Sequence, residues 1–361
     1  MKKKLRITLT VLILVSLLSP LAAAAVRREL NFPDILGYQT LKCDLHMHTV
    51  FSDGLVWPTV RVDEAWREGL DVISITDHIE YQPHKEDIPT NLNRPYEIAL
   101  SRAKEKDILL IRGAEITRET PPGHFNAIFL EDIEPLDTGD FVDVIKAANE
   151  QNAFVFWNHP GWKPEAKGWF DIHTKLYENK WLHGIEVANG DTYYPEAHQW
   201  CLEKNLTMLG TSDIHGPATD REIRPQDHRT MTLVFAEGRT VEGVKDALVA
   251  GRTAVWYQNQ LIGGKKYLDA MFRAVVQVVK PSRRGDKTVW FAITNNGELD
   301  IRMRRSGSVG PATLILPAKT TKTVEAKVSR EEKAAKLSHI VENLLIGPEK
   351  GLPIDLTVPL E

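Results

Sequence analysis

The sequence predicts an α/β fold, a closed barrel of strands covered by helices, followed by a small C-terminal β-sandwich domain. Three observations predict it. Short continuous apolar runs alternate with amphipathic stretches from about residue 40 to about residue 255, the pattern of parallel strands buried under helices. Five of those runs end in a side chain able to hold a metal ion, and in a closed α/β barrel the C-terminal strand ends all meet on one face. From about residue 262 the runs become short and β-like, with turn-forming residues between them.

The elements follow in order. Leu41 to Leu45 is strand-like, Pro58 to Glu68 reads as a helix with Val60, Val62, Ala65 and Trp66 as its apolar positions, and Val72 to Ile75 is a strand. Tyr96 to Lys106 reads as a helix, Ile108 to Ile111 and Phe125 to Leu130 as strands, Phe141 to Glu150 as a helix and Phe154 to Trp157 as a strand. Gly184 to Val187, Leu206 to Leu209 and Met231 to Phe235 continue the series. Beyond it, Ala274 to Val279, Val289 to Ile293, Ala312 to Leu316, Thr321 to Val328, Ile340 to Leu345 and Leu352 to Leu360 are β-like. Pro281 to Asp286, Asn295-Asn296-Gly297 and Ser306-Gly307 supply turns between them. Arg302, Arg304 and Arg305 read as a solvated strand face.

The N-terminus carries a processing signal rather than part of the fold. Lys2, Lys3 and Lys4 precede an apolar stretch from Ile7 to Leu18, Pro20 breaks it, and Ala22 to Ala25 are small enough for cleavage. The chain therefore divides into a signal peptide over 1–25, a barrel over 26–260 and a β-sandwich-like domain over 261–361, and the mature protein is expected to be secreted or periplasmic with no membrane span; the alternative is an uncleaved membrane anchor, for which the apolar stretch is short and interrupted by Thr8, Thr10 and Ser16. A net charge of −4 over 361 residues argues against broad phosphate neutralisation, so no stable nucleic-acid complex is expected. Cys43 and Cys201 make a weak disulfide framework, and burial as small apolar residues suits Cys43.

The chemistry lies at the run ends. Asp44-Leu45-His46-Met47-His48-Thr49 comes first, with Asp53 just after it; Thr76-Asp77-His78, Gly113-Ala114-Glu115, His124, Asn158-His159-Pro160 and Ser212-Asp213-Ile214-His215 follow. His46 and His48, two residues apart on an extended segment, point to the same side and can grip one cation. A lone histidine is more often structural, but five coincident strand ends make that a poor account of the set. Imidazoles and carboxylates in this number read as a multi-metal hydrolytic site, and their mixture suits divalent Zn, Mn and Fe alike. Arg118 could reach a substrate phosphate, or pair with Glu119 or another carboxylate. Asp77 could orient a ligand histidine or cap the following turn, and His84 could face the site from its loop. His173, His183 and His198 match no motif and read as structural or exposed; Trp157, Trp162 and Trp169 read as core before pocket wall.

On these motifs, from Leu41 to about His215, the sequence resembles the polymerase and histidinol phosphatase (PHP) family of metallohydrolases. The resemblance implies a distorted (β/α)7 barrel. It also implies a ligand distribution: His46, His48, Glu115 and Asp213 on one metal; a bridging Glu115 with His124 and His159 on a second; Asp53, His78 and His215 on a third. Asp53 stands where many members have His, and a carboxylate serves equally as a ligand. With its signal peptide and trailing β domain, the layout looks like secreted bacterial phosphodiesterases of this family. Glu115, Asp213 and His215 are the expected catalytic residues and Arg118 the expected substrate-binding residue. The expected reaction is hydrolysis of small phosphodiesters or monoesters by metal-bridging hydroxide. A metallohydrolase acting on an ester, amide or carbamate is the rival enzyme, since fold and metals alone do not separate the two. An extracytoplasmic ligand-binding protein is the rival of another class.

Overall fold

The computed structural model describes residues 26–88, 91–163, 167–218, 227–284, 287–329 and 331–360. The expected signal peptide over 1–25 and the Gly285-Asp286 end of an expected turn lie outside them. The first part of the chain forms β1 (Gln39–Asp44), α1 (Pro58–Arg67), β2 (Val72–Ile75), α2 (Arg94–Glu105), β3 (Leu109–Ile116), β4 (Phe125–Ile128), α3 (Phe141–Glu150) and β5 (Phe154–Trp157). It continues through α4 (Asp171–Glu178), β6 (Gly184–Asn189), β7 (Thr192–Tyr193), α5 (Pro195–Lys204), β8 (Thr207–Thr211), β9 (Met231–Ala236), α6 (Val241–Val249), β10 (Thr253–Tyr257) and β11 (Gln260–Gly263).

Local chemistry sets these boundaries. The Val-Ile-Ser-Ile and Phe-Val-Phe-Trp runs of β2 and β5 are buried along their whole length, as strands covered on both faces must be. Asp140 caps α3 by accepting from the amides of Val142 and Asp143, and Val144, Ile145 and Ala148 then face inward. Thr240 does the same for α6 through the amide of Gly243.

These strands belong to one continuous mixed sheet, ordered β11-β10-β9-β1-β2-β3-β4-β5-β6 with β8 on the far side of β6. The expectation of parallel strands throughout needs correcting. β1–β2–β3 and β5–β6–β8 pair in parallel, but β4 runs antiparallel to both its neighbours, and β9 is antiparallel to β1 and β10. The segment between β3 and β4 holds no crossover helix, and a connection that short allows only an antiparallel partner. The sheet curls until β8 meets β9 and β10. There Thr232 Oγ1 lies 3.0 Å from the amide and 2.8 Å from the carbonyl of Gly210, and Thr253 Oγ1 donates to the Met208 carbonyl at 2.9 Å. A Cβ on Gly210 would sit 2.2 Å from Val255 Cγ1, so this contact needs glycine.

After β11 come α7 (Lys265–Val275), β12 (Val276–Arg284), β13 (Thr288–Asn295), β14 (Ile301–Arg305), β15 (Thr313–Leu316), β16 (Thr320–Lys327), β17 (Ala334–Gly347) and β18 (Lys350–Pro359). Two expectations change here. Ala274 and Val275, read as strand, end a helix, and residues 281–284, read as a turn, continue β12. β12, β13 and β16 form a separate three-stranded antiparallel sheet. β14, β15, β17 and β18 instead extend the main sheet, because β17 pairs in parallel with β11 through Leu261↔Leu344 and Ile262↔Leu345. One apolar cluster runs from Val62 and Ile73 through Trp256 and Phe272 to Phe291, Leu337 and Val341. Arg302, Arg304 and Arg305 lie on the exposed side of β14.

His173, His183 and His198 are structural. His173 is fully buried; its Nε2 donates to the Pro122 carbonyl at 2.8 Å and its Nδ1 accepts from the Phe170 amide at 3.1 Å, which requires a neutral ring. Burial holds it down to about 4, and burial does the same to His198, also about 4. His183 Nδ1 accepts from the Val155 amide, and burial lowers its pKa too.

Two outcomes follow. Gly210→Ala is expected to destabilise the protein by about 1–3 kcal/mol through overpacking against Val255, read from the denaturant midpoint. The folded state binds fewer protons at His173 and His198 than the unfolded chain between about pH 4 and pH 6.5. Stability is therefore full above 6.5 and falls with pH through that window, by about 2–3 kcal/mol per histidine at pH 4.5. Denaturation at pH 7 and 4.5 should show a smaller acid loss in a His173→Gln/His198→Gln variant than in the parent.

Candidate metal centre

Most of these side chains reach the site from the end of a strand, and Asp53 reaches it from the turn that follows His48. His46 and His48 follow β1, His78 follows β2, His159 follows β5, and Asp213 and His215 follow β8. Glu115 lies within β3, whose ladder extends five residues past the expected Ile111. His124 precedes its strand. Because β4 runs antiparallel, with Phe125 opposite both Ile116 and Trp157, its N-terminal end lies at the same rim as the C-terminal ends of β3 and β5. Short parallel bridges, His78↔Glu115 and Met47↔Ile214, draw the post-strand segments together. His159 and Asp213 hold left-handed backbone, φ 28° and 51°, a strain that side chains accept only where the surroundings dictate it.

All nine expected ligands converge, and Glu115 is the hub. It has no exposed surface. Its Oε2 lies 3.3 Å from His46 Nε2, 3.3 Å from His48 Nε2 and 3.0 Å from His78 Nδ1; its Oε1 lies 3.1 Å from His124 Nδ1 and 3.5 Å from His159 Nε2. Asn158 Nδ2 also donates to Oε1 at 2.8 Å. Asp213 Oδ1 faces His46 Nε2 at 3.2 Å and His48 Nε2 at 3.0 Å. At the outer side Asp53 Oδ1 lies 3.2 Å from His215 Nε2 and 3.6 Å from His78 Nε2.

Candidate ligand atoms gather within 4.8 Å of one another in four overlapping sets: His46, His48 and Glu115; His78, Glu115 and His124; His46, His159 and Asp213; and His48, Asp53, His78 and His215. The last contains the expected third set with His48 added. His159 groups with His46 and Asp213 while staying within 3.5 Å of Glu115.

The donor chemistry fits divalent ions. His46 Nε2 and His48 Nε2 face each other at 3.1 Å and share Glu115 Oε2 and Asp213 Oδ1, so two nitrogens and two oxygens surround one point. Burial opposes charge on Glu115, yet His46 and His78 hold its carboxyl well below the usual range. Burial likewise opposes charge on Asp213 and Asp53, and the surrounding imidazoles depress both. In return, against burial, Glu115 and Asp53 push His78 up to about 10, and carboxylates raise His46, His159 and His215. On His48 burial wins and the pKa falls. Protons and a cation compete for these same atoms.

Of the residues that support the ligands, the sequence pointed to Asp77 but not to Glu186, Arg61 or Arg229. Glu186, buried in β6, accepts from His46 Nδ1 at 2.8 Å, the His159 amide at 2.7 Å and Thr211 Oγ1 at 2.6 Å; this turns His46 Nε2 toward the cluster. Its only sequence signal is an acid inside an apolar run. Arg61, fully buried on α1, donates to the carbonyls of His48, Ile214, His215 and Gly216, clamping two ligand segments together. Arg229 binds Asp44 and Glu68, and Asp44 in turn holds Ser212. Asp77 accepts from Thr49 and from Ser52 Oγ at 2.7 Å, and Ser52 Oγ lies 3.3 Å from His48 Nδ1, so it supports a histidine through the Ser52 hydroxyl.

The outer residues divide. Arg118 pairs with Glu80 and donates to the carbonyls of Thr117 and Thr138. His84 lines a crevice with His78 and Gln82. Trp157 is core, stacked on Trp200, and Trp169 is half-buried beside them. Trp162, read as core, is 52% exposed at the rim.

A two-domain protein from Bacteroides vulgatus, described as containing a predicted PHP-like metal-dependent phosphoesterase, is 46% identical. The match covers 92% of this chain and 99% of that one, with a TM-score of 0.89. A protein from Bifidobacterium adolescentis is 16% identical over 58% of this chain and 96% of its own, with a TM-score of 0.41. No family model and no curated protein matches the sequence.

Glu186→Ala is expected to weaken divalent-ion affinity by about 10–100-fold. Competition with a chelator, with melting followed in parallel, checks this.

Proposed function

The chain belongs to the PHP-like metal-dependent phosphoesterases, and from that premise we propose that it hydrolyses small phosphodiesters, and monoesters less readily, using two or three divalent ions held by the nine converging residues. The observation that carries this reading is the single buried carboxylate of Glu115 facing five imidazoles, with Asp213 beside two of them. Divalent ions there would acidify a water and neutralise phosphoryl charge.

The protein's own groups supply the rest. Glu115 spans the inner donor sets and fixes their separation. Asp213 joins the inner sets to the outer one, since its carbonyl lies 2.8 Å from His215 Nδ1. With the proton on Nδ1 donated to that carbonyl, His215 Nε2 is the bare nitrogen, turned toward Asp53 where it would hold an ion of the outer set. Arg118 would need to release Glu80 before it could bind a phosphate.

We read the curled sheet as the distorted (β/α)7 barrel of the family, over 26–260, and the strands over 261–361 as its β-sandwich companion. No helix among the described residues is long and apolar enough to cross a membrane. The Lys-rich and apolar N-terminus supports a secreted or periplasmic location. Zn, Mn and Fe all suit the donor set.

Glu115→Gln is expected to remove most turnover and to lower bound metal. Unchanged turnover with full metal content would end the bridging assignment. Metal-reconstituted protein assayed with a chromogenic phosphodiester, a phosphomonoester and a carboxyl ester should turn over the first fastest; hydrolysis of the carboxyl ester alone would replace the phosphoester reading.

A further inference from the structure

We infer that the substrate of this site carries a planar aromatic group, held by a platform of Trp162 with Tyr81; this rests on the phosphoester reading. Two large aromatic side chains stand exposed at the rim, each 52% accessible. Both touch ligand histidines. The Trp162 ring centroid lies 6.0 Å from that of His124 and 5.9 Å from that of His159, and Tyr81 lies 6.0 Å from His78. An exposed aromatic alone means little, but two that border one cluster of candidate ligands place apolar ring faces one ring's breadth from where a phosphoryl group would bind.

Trp162 is also held in place. Its amide donates to the His159 carbonyl at 3.1 Å, and the Gly161 amide donates to the same oxygen at 2.7 Å, so the indole is carried on the turn that positions a ligand. Lys163, 5.1 Å from the indole centroid, is tied to Glu119 at 2.5 Å and flanks the ring. Among the described residues, none of the apolar core clusters includes Trp162. A phosphoester whose alcohol is aryl or bears a nucleobase would reach these faces while its phosphate lies on the inner donors, and stacking accepts any planar ring without hydrogen-bond readout.

The test uses phenylphosphonate and methylphosphonate, which are not turned over, with protein reconstituted in parallel with Zn2+ and Mn2+. Calorimetry should show phenylphosphonate binding about tenfold tighter to the parent, equivalent to about 1.4 kcal/mol. Trp162→Ala/Tyr81→Ala should abolish that preference while methylphosphonate affinity holds, and Trp162→Phe should retain part of it. Equal binding of both probes by the parent, or a preference that survives the double substitution, overturns the aromatic platform and leaves the phosphoester reading standing. Binding of neither probe by metal-loaded protein overturns both. Melting of each variant separates lost recognition from lost folding.

Discussion

A carboxylate without exposed surface has to find positive charge or hydrogen-bond donors within a few ångströms, and five imidazoles and the Asn158 amide surround Glu115. That requirement organises the rim. It calls for histidines from β1, β2, β4 and β5 at one end of the sheet, and therefore for the strand directions that bring those ends together. It also calls for buried partners behind the histidines, which Glu186, Ser52 and Asp77 provide. Arg61 and the Asp44–Arg229–Glu68 group act one layer further out, holding backbone rather than ligands.

Where a physical signal was local, the sequence was legible. Val72 to Ile75, Phe154 to Trp157 and Phe141 to Glu150 are bounded by their own apolar pattern or cap, and the structure ends them at the residues expected. Tertiary pairing decided the rest. β3 runs on past Ile111 because β4 offers it a partner, and β4 lies antiparallel because its connection is short, which no run of apolar residues announces. Helices α4 to α7 escaped notice, and Ala274 and Val275 read as strand because β-branched and small apolar residues suit both states. The three-stranded sheet was visible in outline, but the fusion of β17 to β11 depends on contacts between residues some eighty positions apart.

For the site, the distinction is between residues that carry unusual chemistry and residues that serve them. Histidines at strand ends are rare enough to stand out, and the structure brings all nine expected side chains together. Glu186 on β6, Arg61 on α1 and Arg229 just before β9 carry ordinary charges, and only burial makes them unusual. Trp162 misled in the opposite sense: tryptophan is buried on average, and at this turn it is not.

The parallel join between β11 and β17 has a consequence for how this molecule could be divided. Cutting the chain after β11 would strip that strand of its neighbour and leave a row of unpaired amides and carbonyls beside an apolar surface once covered by Leu337, Val341 and Leu344. A raw border of that kind recruits strands from other copies. The trailing strands are thus the selvage of the catalytic sheet, and a truncated fragment would register self-association before it registered any loss of recognition.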